Sequence, residues 1–150
     1  MSKLLLTAIA FALVSGFALA AQGGINGTLG KRMEHPLHAS LVSFTVGFST
    51  LLILCLVWAR SLPRSTAVFG GPWWSLTGGM LGCVVVTASL LMAPRVGATV
   101  WLSLLVCGQF TAAVLLDHFG WAGYHVHAAS LGRIAGVVLI MAGVICVCRS

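Results

Sequence analysis

Acidic side chains are nearly missing: Glu34 and Asp117 are the chain's two carboxylates among 150 residues. Charge of either sign makes up 7% of the sequence, against about 25% in ordinary soluble domains. Apolar residues make up 59%, and mean hydropathy is +1.08. A water-soluble fold of that composition would expose large sticky patches, so a soluble domain is excluded. Two carboxylates far apart in the chain supply no convergent acid–base or nucleophilic machinery, which argues against an enzyme. Basic clusters are also lacking, the longest being Lys31-Arg32. The net charge of +6 therefore does not point to nucleic acid. Its eight cations sit near the ends of apolar runs, as membrane anchoring and topology control require. No disulfide framework is visible either. Cys55, Cys83, Cys107, Cys146 and Cys148 all lie inside apolar runs, where they act as small polarizable packing residues. Cys146 and Cys148 are too close in sequence for a zinc site.

What is present is length in the right units. A bilayer needs roughly 20 apolar residues of helix, and the chain offers five such stretches, at about 4–29, 37–59, 73–93, 97–116 and 131–148. Residues 1–150 are thus read as one all-α integral membrane domain with five transmembrane helices, its principal partner the lipid bilayer. The opening MSKLLLTAIAFALVSGFALAAQ also has the layout of a secretory signal peptide. Apolar character resumes beyond the cleavage-like site and four spans follow, so it is read as a retained helix. It carries a small-residue ladder, Ala8, Ala12, Gly16, Ala20 and Gly24, of the kind that lets helices approach closely in lipid. Pro36 is placed to open span two. The hydroxyls of that span, among them Ser40, Ser43, Thr45, Ser49 and Thr50, can bond back to the preceding turn. Gly78 and Gly82 have packing spacing in span three, and Gly132, Gly136 and Gly143 recur in span five. Pro94-Arg95 reads as a minimal turn, and Arg133 as a side chain that snorkels to the interface.

Polar residues inside apolar spans are the candidates for function, because they are costly in hydrocarbon unless partnered or facing a wet cavity. Gln22 and Asn26 are four apart near the end of span one. They either line a ligand or belong to a capped helix end. Gln109 lies within span four and is either interhelical glue or cavity lining. Asp117 follows eight residues later, within about a quarter turn of it on a helix. The substrate-cavity candidates are therefore Gln22, Asn26 and Gln109, with Asp117 as a coupling or gating group. His118, His125 and His127 follow span four; with only Asp117 to join them they read as interfacial histidines rather than a metal site. Neither metal nor cofactor is expected.

Five spans place Lys3, Arg60, Arg64 and Arg133 on one face of the membrane and Lys31, Arg32, Arg95 and Arg149 on the other. Four against four cancels the bias that normally orients a membrane protein. One polypeptide could then insert both ways up. Two opposed copies would form an antiparallel homodimer with the inverted symmetry of many secondary transporters, whose sites lie between repeats.

Several features in order carry a resemblance. They are Gln22 to Asn26 followed by Leu29, Pro36 opening span two, PWWSLTGGMLG at 72–82, PRVGAT at 94–99, the Gln109 helix ending in DHFG at 117–120, and Arg133-Ile-Ala-Gly with a later Gly143. Together they resemble the DUF606 (YdcZ-like) family of the drug/metabolite transporter superfamily, over nearly the whole chain. The resemblance implies a bacterial inner (cytoplasmic) membrane protein with a five-helix subunit. It implies pairing as a dual-topology homodimer, pairing with an opposite-oriented paralogue, or a fused ten-helix form. It also implies transport. The small multidrug resistance exporters of that superfamily use a carboxylate in their first helix; here the first span has Gln22 and Asn26 and no acid.

The leading expectation is a secondary transporter of a small-molecule substrate, working by alternating access in a dual-topology dimer. The alternative is a non-transporting membrane scaffold or partner subunit that uses its glycine faces to bind other helices.

Overall fold

The computed structural model describes residues 3–149. Among them the regular structure is helical, and five helices are long and apolar enough to cross a membrane: Lys3–Gly30, Pro36–Ala59, Trp73–Val96, Ala98–Phe119 and Leu131–Arg149. The five-span expectation is met. The principal helices are α1 (Lys3–Gly30), α2 (Pro36–Leu54, continued by a wider π turn over Cys55–Ala59), a short α3 (Ser65–Phe69), α4 (Gly78–Val96, entered through a 3-10 turn at Trp73–Thr77), α5 (Ala98–Phe119) and α6 (Leu131–Arg149). The chain divides between Pro94 and Arg95 into two compact units.

In the first unit, α1, α2 and α4 pack through small residues. A side chain added at Gly27 would place its Cβ 2.5 Å from Cγ of Pro94, and one at Gly23 would lie 3.3 Å from Cβ of Ala93. At Gly30 the nearest atoms belong to Leu90 and Ala39. Around these approaches sit Ala39, Val86 and Leu90, the best-buried apolar cluster among the described residues. The ladder expected to pack was the neighbouring one. Gly16 and Gly24 have open space around them, while Gly23, Gly27 and Gly30 make the contacts. Two small-residue stripes lie side by side on α1, and periodicity alone does not say which one a neighbour occupies.

Polar groups close the same unit. His35 caps α2, its Nδ1 accepting from the Leu37 amide at 3.2 Å, and Pro36 occupies the first helical position, as its missing N–H favours. Thr45, Ser49 and Thr50 donate to the carbonyls of Leu41, Thr45 and Val46, four residues back. Ser40 departs from that pattern. Its hydroxyl shares a 2.8 Å hydrogen bond with that of Thr87, tying α2 to α4. Ser40→Ala is expected to lower stability in detergent by about 0.6 kcal/mol, a typical value for a membrane interhelical hydrogen bond. Thermal unfolding of the purified protein checks this.

The turn expected at Pro94-Arg95 lies further on. α4 runs through Pro94 to Val96, and the break comes at Gly97, whose φ of +90° favours a residue without a side chain. Pro94 has no N–H to give the Leu90 carbonyl one turn back, so α4 carries one missing bond in its last turn before it ends.

In the second unit α5 and α6 form a helical hairpin. α5 stops at Gly120, in the left-handed conformation, whose amide bonds back to the Leu116 carbonyl. Ser130 caps α6 by accepting from the Arg133 amide at 3.3 Å.

Candidate functional site

The connection from α5 to α6 folds back onto the end of α5. The His127 amide donates to the Asp117 carbonyl at 2.7 Å. The Ala129 amide donates to Nδ1 of His118 at 3.1 Å. His118 meets Phe119 edge-on, and Phe119 stacks on Trp121 with 4.8 Å between ring centroids. The loop thereby brings Arg133, in the first turn of α6, opposite Asp117, in the last turn of α5. Nη1 of Arg133 lies 3.4 Å from Oδ2 of Asp117 and 3.3 Å from the His127 carbonyl. Arg133, read as a side chain that can snorkel to the interface, also reaches across to the neighbouring helix. The two residues are 16 apart in sequence. A cation just inside the start of one span and an anion just before the end of the preceding span face each other in any tight antiparallel hairpin. That placement was the available signal.

The side chains of Arg133 and Asp117 remain 42% and 32% exposed. Half-solvated pairs contribute little to folding, so Asp117→Asn is expected to change stability by no more than about 1 kcal/mol. Chemical unfolding of the two proteins side by side measures it. Below the pair, α5 and α6 leave a groove of about 310 Å³, floored by Phe110, Ala113, Val114, Gly136, Val137 and Ile140.

The other candidate residues are placed differently. Gln22 lines a second groove, about 370 Å³, between α1, α2 and α4, with Ser43, Phe44, Gly47 and Phe48. Asn26, one turn further along α1, is 5% exposed and sits among the packing glycines. Gln109 is exposed on α5 and lines neither groove. The structure therefore brings Asp117 together with Arg133, sets Gln22 at a groove, buries Asn26 and leaves Gln109 on a helix surface. Among the described residues no three His, Cys, Asp or Glu side chains gather as a metal site.

These grooves belong to helices with little internal cover. Among the described residues of α1, α5 and α6, the most apolar stretches contain no buried residue. Large side chains such as Phe11, Phe17, Leu131 and Leu139 are 70% or more exposed. In a bilayer such side chains lie against lipid or further helices.

Comparison with known proteins gives a consistent result. Residues 7–146 match the family described as "Putative inner membrane exporter, YdcZ". The Escherichia coli (strain K12) protein named inner membrane protein YdcZ is 29% identical over 146 residues, covering 94% of each chain. No solved structure matches.

Proposed function

Since the chain belongs to the YdcZ family, we propose that it is a secondary transporter that exports a small solute by alternating access, in a pair of oppositely inserted copies. It is a multi-pass inner membrane protein. The observation that carries the paired architecture is the charge tie. It survives inclusion of the acids, because Asp117 falls on the face of Lys3 and Glu34 on the face of Lys31. Each face then holds four cations and one carboxylate, and nothing in the chain prefers one orientation. The open ladder from Ala8 to Gly24 is one face on which backbones could approach.

In this account Gln22 contacts the solute at its groove, Asn26 stands one turn behind it, Gln109 on the exposed surface of α5 meets the solute in the space a second copy closes, and Asp117 gates or couples the movement. A side-chain amide offers both donors and an acceptor, so it suits a polar solute better than a bare ion. Gln22 is the most telling of the three, because it faces a groove rather than a packed interface. Gln22→Leu is expected to slow solute efflux from proteoliposomes about tenfold or more while leaving folding intact, as loss of one ligand hydrogen bond of charged or buried type would. Unchanged efflux in a well-folded Gln22→Leu protein would remove that residue from the pathway. Cross-linking in membranes separates this function from a scaffolding role: a transporter of this design is caught with its own copies, a scaffold with unlike proteins.

A further inference from the structure

We infer that the groove between α5 and α6 is a receptor for a zwitterion with an apolar body, of the class of the apolar α-amino acids. The ammonium group would sit on Asp117 and the carboxylate on Arg133. This rests on the transport reading, gives the solute a second station besides the Gln22 groove, and makes Asp117, the gating or coupling residue of that reading, a direct contact.

Three observations lead there. The first is the incompleteness of the ion pair. Only Nη1 of Arg133 meets Oδ2 of Asp117, at 3.4 Å, whereas charge-assisted hydrogen bonds of good geometry lie near 2.7–2.9 Å. Nε and Nη2 of Arg133 and Oδ1 of Asp117 have no partner among the described residues. The second is position. Both groups border the groove, and the remaining lining named above is apolar. The third is the loop: the His127 carbonyl accepts from the same Nη1 that meets Asp117, so the guanidinium keeps one backbone partner when Asp117 takes another.

The charge balance then selects the ligand. An anion on Arg133 would draw the guanidinium from Asp117 and leave a carboxylate unpaired beside apolar walls. A cation on Asp117 would strand Arg133 in the same way. Because the pair is half-exposed, water softens that loss, but a singly charged ligand still gains one charge-assisted contact while giving up another. A zwitterion inserts between the two and pairs both. Arg133 offers a planar fork that takes a carboxylate with two N–H groups, and Asp117 offers acceptors to an ammonium. The cavity of about 310 Å³ is at the small end of ligand pockets, roughly 300–1,000 Å³, which fits one amino-acid side chain rather than a peptide. Phe110, Val114, Val137 and Ile140 ask that side chain to be apolar.

Gly136 supplies a test that leaves the charged pair alone. A Cβ there would meet no heavy atom within 4 Å, and Gly136 lines the groove, so Gly136→Leu adds apolar bulk at the groove without a clash at its first atom. Gly143→Leu, also in open space and outside the groove, is the matched control. Calorimetry on the purified full chain in detergent would compare L-phenylalanine, 3-phenylpropionate and phenethylamine. L-Phenylalanine is expected to bind about fivefold more tightly than either singly charged analogue, since only it pairs both residues and each half-exposed pairing contributes up to about 1 kcal/mol. Gly136→Leu should abolish that binding and Gly143→Leu should keep it. Asp117→Asn should reverse the preference toward 3-phenylpropionate, a change that a purely structural role for Asp117 would not produce. Equal binding of the three compounds, no binding of L-phenylalanine, or an unaffected Gly136→Leu protein would overturn the inference. Export of other solutes without L-phenylalanine binding would likewise overturn it and leave the exporter reading standing. L-Phenylalanine binding without movement across proteoliposomes would support the receptor and count against export.

Discussion

Gly27→Leu is expected to prevent α1 from packing on α4 and to deplete the folded protein from membranes. Even the first added atom has nowhere to go, because a Cβ at Gly27 would stand 2.5 Å from Cγ of Pro94 and 3.5 Å from the Leu90 carbonyl oxygen. The proline ring is tied into its own backbone and cannot swing aside as a long side chain would. Overpacking of this kind costs about 1–3 kcal/mol and at times more, so Gly27→Ala should already be measurable and Gly27→Leu should exceed it. The contrast is Gly24→Ala, three positions away, where nothing lies within 4 Å. There alanine should be neutral or gain up to about 1 kcal/mol from helix propensity. Unfolding in mixed detergent of the wild type and the two alanine variants tests the pair. Equal stability at the two positions would show that α1 does not meet α4 along Gly23 and Gly27.

A single added cation is expected to abolish self-assembly. Ser2→Lys raises one face to five cations against four, which restores the orientation bias that the native chain lacks. Every copy should then insert the same way, and no opposed partner should be available. Cross-linked dimer in membranes should fall about tenfold or more, as expected when the second orientation becomes a small minority. Glu34→Lys biases the other face and should do the same alone. Glu34 lies in the exposed turn between α1 and α2, so the substitution disturbs no packing. Expressing the two variants together supplies both orientations and should restore the dimer as a mixed pair. A Ser2→Lys protein that dimerises normally would mean that copies pair side by side in one orientation.

The helices were legible because hydropathy and span length are local properties. Breakers also announce themselves: Pro36 opens α2, and the Gly97 break lies three residues from the expected turn. What eluded the sequence was anything depending on which side of a helix meets a neighbour. Ala20 and Gly24 look as suited to packing as Gly23 and Gly27, since the two ladders differ by a single position. Only the structure puts Pro94 and Ala93 against the second. The position of Arg133 near a span end lets a long cation reach outward, but spacing says nothing of a partner. Asp117 comes within reach through the return of the loop at His127. Gln109 and Asp117 illustrate the same limit. They share an arc of α5, yet the groove against α6 takes Asp117 and leaves Gln109 out.

Orientation of the native chain is the measurement closest to the heart of this account. Alkaline phosphatase, active only outside the inner membrane, and green fluorescent protein, active only inside, would each be fused after residue 150 of the wild type. Matched cation counts on the two faces require both fusions to report at comparable levels, and Ser2→Lys to silence one of them. A wild type that lights only one reporter, with no response to the added lysine, would contradict the inverted pair from which the transport mechanism is built.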